Sequence, residues 1–184
     1  MTPIMSVGQI AIAMSILNHQ RRLSLPTIHQ ALLHPLVDVT SLTSQFSQFE
    51  FHNGPFVTTD FINEAITHYF PAISKNATEI TASPILMTSK QVKTFMPSTT
   101  IVTAQTDWLR DQGQDFAKLL QTSGAECGPI DTFASLHDAE VFAALLTSPT
   151  VDLVLTAVAG KLLRVLKQES EVRPRNRARN GKSE

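Results

Sequence analysis

Three residues that together can run nucleophilic acyl transfer occur in one order along this chain: Ser6, Asp107 and His137. A serine hydroxyl is a weak nucleophile until an imidazole takes its proton. A carboxylate on the other ring nitrogen then fixes the tautomer and orientation of that imidazole. Such a relay needs no metal and no cofactor, and none is expected here. There is a single cysteine, Cys127, which reads as a small core residue. His19, His29, His34, His52 and His68 show no metal-ligand spacing along the chain. No phosphate-binding glycine loop or dinucleotide fingerprint is present either.

Elements must bring these residues together. The β-branched segment TTIVTA (99–104) suits a buried parallel strand and delivers Asp107 at its carboxyl end. A helix is expected over 111–123, with Phe116, Ala117, Leu119 and Leu120 inward and Gly124 at its C-terminal cap. Residues 126–133 form the next strand candidate, and His137 lies in the loop beyond it. Loops at the carboxyl ends of strands build the sites of open α/β sheets, so Asp107 and His137 can meet. Upstream, Ile10, Ala13, Met14 and Leu17 predict a helix over 8–20 with one apolar stripe. A short strand, HQALLH (29–34), stops at Pro35. A polar connection fills 38–55, and a second helix begins near Thr59 or Asp60, with Ile62, Ala65, Ile66 and Tyr69 on its face. Residues 72–97 read as irregular, and Ser148-Pro149 opens a last helix. The alternation predicts an α/β protein with a short, mostly parallel sheet flanked by helices.

The segment TDWLRDQG resembles the D-x-L-R-D-x-G motif of the hormone-sensitive-lipase-like group of α/β-hydrolase esterases, through Asp107, Leu109, Arg110, Asp111 and Gly113. HPLVDVT (34–40) resembles the group's Y-P-x-x-D strand end, NGPFVT (53–58) its G-P-F-L-T turn, and ASPI (82–85) its A-S-P-L segment. The resemblance implies Asp107 as the catalytic acid, His137 as the triad histidine and Ser6 at the nucleophile's position. It also implies a small acyl ester as substrate. Two departures stand out. The histidine is followed by Asp138-Ala139 where the group has Gly-Phe, and the first glycine of its G-x-S-x-G elbow is Ile4 here. A bulky Ile4 obstructs the close meeting of strand and helix. No HGGG oxyanion segment precedes Ser6. The expectation is therefore a truncated α/β-hydrolase whose esterase or lipase-like activity is weak or absent. The alternative is a non-catalytic remnant acting as an interaction or accessory protein. Arg110 and Asp111 read as structural, while Trp108 fits either an acyl pocket or local packing.

Bulk properties bound the rest. The chain has 184 residues, 42% hydrophobic and 17% charged, with a net charge of −1. Residues 1–168 are expected to form the partial hydrolase domain, and the basic stretch 169–184 a disordered tail. No run is apolar enough for a membrane span, and the lone cysteine with no signal-peptide pattern suggests a cytoplasmic setting. No nucleic-acid partner is expected. A sheet edge left open by the missing half would favour homo-oligomers or association through that edge.

Overall fold

A computed structural model of the chain describes residues 6–41, 44–54, 57–69, 77–139 and 149–180. Helix α1 (Ser6–Gln20) leads into strand β1 (His29–Leu33). Two helices follow, α2 (Phe46–Glu50) and α3 (Thr59–Tyr69), then a 3-10 turn (Pro84–Leu86) and helix α4 (Ser89–Phe95). Strand β2 (Ser98–Thr106), helix α5 (Arg110–Thr122), strand β3 (Asp131–Leu136) and helix α6 (Pro149–Asn180) complete the order. The three strands form one parallel sheet in the order β1-β2-β3. His29 pairs in register with Ser98 and Val102 with Asp131, and the β2–β3 register shifts between Ala104 and Thr106.

Six consecutive residues of β2, Thr99 to Ala104, are buried, as required of a parallel strand covered on both faces. One core gathers Ile12 and Ile16 of α1, Leu32 of β1, Val92 of α4, Ile101 of β2, and Phe116, Ala117 and Leu120 of α5. Gly113 lets α5 lie directly on β2, since a Cβ there would come within 2.6 Å of the Thr103 methyl. A second core, at the carboxyl end of the strands, packs Trp108 and Leu109 against Leu36, Val39, Val57, Ile62, Ile66 and Ala82. Trp108 is fully buried there, with its indole N–H donating to Thr59 Oγ1 at 3.0 Å, so its role is packing.

Several expectations shift. In α1 the buried large apolar residues are Ile12 and Ile16, whereas Ile10 and Met14 are 42% and 48% exposed. The helix carries apolar residues on more than one face, so spacing alone could not choose between them. The third strand begins five residues later than the candidate, and Cys127 contributes only an isolated bridge to Thr99. The region read as irregular holds α4, opened by a Thr88–Gln91 capping box. Helix α6 continues through 180 across most of the stretch expected as a tail, where Glu, Arg and Ala favour helix although Pro174 does not. Among the described residues no helix is long and apolar enough to cross a membrane.

Candidate active site

Asp107 follows β2 directly, and His137 follows β3 directly. Adjacent parallel strands thus deliver both to the same edge of the sheet. Nδ1 of His137 lies 3.0 Å from Oδ1 of Asp107, and both side chains are buried. Asp107 is held by its own loop: Oδ1 accepts the Leu109 N–H at 2.9 Å, and the Asp107 carbonyl accepts the Arg110 N–H at 3.1 Å. Arg110 and Asp111 are structural, as read from the sequence. Arg110 reaches Asp111 at 2.9 Å, Glu50 at 3.2 Å and the Gln105 carbonyl at 2.9 Å, while Asp111 accepts the Ser47 N–H at 2.7 Å.

The structure adds two residues that the sequence reading did not place in the site. His34, just past β1, puts Nδ1 3.2 Å from Oδ2 of Asp107, and its ring centroid is 5.1 Å from that of His137. It is the third strand-end residue in a row, on the strand next to β2, and that adjacency is the signal that could have found it. Gln112 anchors the chain just beyond it: its Oε1 accepts the N–H groups of Val37 and Asp38, and its Nε2 donates to the Asp38 carbonyl. Asp138, standing where the resembled group has glycine, turns Oδ2 to within 3.3 Å of Nε2 of His137. His34 and Asp138 both sit at positive φ, 46° and 53°, a region that disfavours residues with a Cβ. Ser6 is the first residue of α1, but its side chain lies outside the described residues, as do Ile4 and the rest of the elbow.

The electrostatics follow from this packing. Burial alone would depress the His137 pKa, but the negative charges of Asp107 and Asp138 overcome it and push it up to about 10. Burial would raise Asp107, yet His137 and then His34 hold its carboxyl well below the usual carboxylate range. His137 is therefore an imidazolium at neutral pH.

This has a consequence for stability. The folded pKa of His137 lies above its ordinary 6.5, so its contribution is complete below pH 6.5 and is lost as pH rises toward 10. Asp107 is depressed, so its contribution is complete above its ordinary 3.8 and is lost in acid. Thermal unfolding followed by circular dichroism is expected to show a midpoint that falls from pH 6 to pH 10. It should fall less in His137→Asn. A midpoint that is level or rises over that range would contradict the assignment.

Residues 6–140 match the family model described as the alpha/beta hydrolase fold, and the chain belongs to that family. An esterase of Gibberella moniliformis is 31% identical over 158 residues, covering 86% of this chain and 49% of the esterase. Carboxyl esterase 2 of the mycorrhizal fungus Tuber melanosporum superposes with a TM-score of 0.79 at 28% identity, over 87% of this chain and 50% of that one. Brefeldin A esterase, a bacterial homologue of human hormone sensitive lipase, shares the fold at 19% identity and a TM-score of 0.74, over 88% of this chain and 46% of its own. The chain thus spans about half the length of these relatives.

Proposed function

We propose that this chain acts as a carboxylic ester hydrolase on small acyl esters, with Ser6 as nucleophile, His137 as general base and acid, and Asp107 as its orienting carboxylate. The observation that carries the reading is the 3.0 Å approach of Asp107 to Nδ1 of His137 at adjacent strand ends. In the relay Ser6 Oγ attacks the ester carbonyl while Nε2 of neutral His137 takes its proton. His137 returns that proton to the departing alcohol, and water then cleaves the acyl-serine by the same steps. The Val7 N–H is available as one oxyanion donor, since it follows the nucleophile.

A second reading, a non-catalytic accessory protein, is favoured by one feature: Nε2, the nitrogen that must face the serine, faces Asp138 instead. Hydrolysis of p-nitrophenyl acetate and butyrate separates the two. Turnover at mildly alkaline pH is expected to fall to background in Ser6→Ala and in His137→Asn. Equal rates for the unaltered chain and Ser6→Ala would leave the accessory reading standing.

A further inference from the structure

We propose that His34 is a positioning residue: its ring anchors Oδ2 of Asp107, so that Oδ1 stays on Nδ1 of His137. The carboxylate is shared between two imidazoles. Oδ1 lies 3.0 Å from Nδ1 of His137 and accepts the Leu109 N–H at 2.9 Å. Oδ2 faces Nδ1 of His34 at 3.2 Å. Strand β2 thus delivers the carboxylate, and the strand on either side of it delivers one histidine. A carboxylate turns easily about its Cβ–Cγ bond, where the torsion is broad and roughly two-fold. With one oxygen held, a small turn still carries it off its partner. Partners on both oxygens, from two strands, fix the plane.

Two features of His34 point to a polar task and not to packing. It is 1% exposed, and an apolar side chain would fill such a place without burying polar atoms. It also sits at φ 46°, a region that is costly for a residue with a Cβ and that persists where the surroundings hold it. Those surroundings are firm. The His34 N–H donates to the Val102 carbonyl at 3.0 Å, which ties the residue to β2. Pro35 follows, and α1 lies against it so closely that a Cβ on Gly8 would come within 3.1 Å of the proline Cβ. The tautomer that serves Asp107 carries its proton on Nδ1. The same ring bounds one side of His137, whose centroid is 5.1 Å away. His34 therefore acts on the pair twice, through the carboxylate and by ring contact.

The effect on turnover rests on the function proposed above; the hold on the Asp107–His137 pair does not. NMR of isotope-labelled histidine in the full chain at pH 7 reads that hold without substrate. The His137 Nδ1–H is expected as a slowly exchanging signal. In His34→Leu, which removes the donor, the signal should broaden or vanish. With p-nitrophenyl acetate, kcat should fall roughly 10–100-fold while KM changes little. His34→Asn places an amide N–H close to the position of Nδ1 and tolerates a positive φ, so it should keep the signal and recover most of the lost turnover. If His34→Leu does not fold by circular dichroism, His34→Gly, which suits the positive φ, is the donor-free variant in its place. An unchanged His137 signal in the donor-free variant overturns the proposal. So does a signal lost equally in folded His34→Asn, since a merely structural histidine would make the two variants alike. A signal that responds as expected, in a chain that turns over no faster than Ser6→Ala, upholds the anchoring and counts against the ester-cleaving relay alone.

Discussion

Ester turnover by this chain, measured with the Ser6→Ala rate subtracted at every pH, is expected to climb about tenfold per pH unit from pH 7 toward 10. A general base works only in its deprotonated form, and a group with a pKa of about 10 is deprotonated in roughly one molecule in a thousand at pH 7. Both carboxylates that hold the proton are in place: Asp107 at Nδ1 and Asp138 at Nε2. Asp138→Gly removes one of them, restores the glycine of the resembled motif and frees Nε2 toward the serine. Its profile should rise at lower pH, with neutral-pH turnover up by an order of magnitude or more. Glycine also suits the positive φ at that position, so the variant should not lose stability through its backbone. A profile that is already flat at pH 7 in the unaltered chain would mean that Asp138 does not engage the ring in solution.

The second large effect is on stability. Trp108→Ala is expected to cost about 3–5 kcal/mol, in the range for emptying a fully buried aromatic site. That is a large share of the roughly 5–15 kcal/mol that holds a typical domain folded. The indole is the largest fully buried side chain and fills the core beneath the loop that carries Asp107. The Trp108 carbonyl also accepts the Ser47 hydroxyl at 3.0 Å, tying α2 to the same loop. Trp108→Phe keeps most of the packing and loses the bond to Thr59, so it should cost much less. Urea unfolding of the two variants measures both. A Trp108→Ala loss below about 1 kcal/mol would mean that the cavity collapses or that the loop carries little of the fold.

The parts of the fold legible in the sequence were those with one dominant signal. The β-branched run before Asp107 could hardly be anything but a buried strand, and Gly124, at φ 75°, closes α5 as its position suggests. The meeting of Asp107 and His137 followed because strand-end loops share an edge. What stayed hidden depended on long-range contact. The buried face of α1 is chosen by β1 and α4, which the helix's own apolar pattern cannot name. Capping by Thr88 and Gln91 was a local signal, but it sits in a segment too short for its periodicity to stand out. His34 looked like any histidine before a proline until β1 was known to lie beside β2. Asp138 stands out in the sequence as a departure from Gly-Phe, but its turn onto Nε2 is a matter of side-chain direction, which sequence does not encode locally.

The strand order bears on how the chain meets the cell as it is made. Strand β1 ends at Leu33, and its neighbour β2 begins only at Ser98, with helices α2, α3 and α4 and several loops between them. At a synthesis rate of about 5–20 residues per second, β2 follows β1 off the ribosome by roughly 3–13 s. Strand β3 then follows β2 within roughly 1–5 s at the same rates. The pair of Asp107 and His137 is therefore completed within one short β2–α5–β3 unit. His34, translated first of the three, waits longest for its place, and for those seconds the nascent β1 backbone is without the partner it has in the finished sheet.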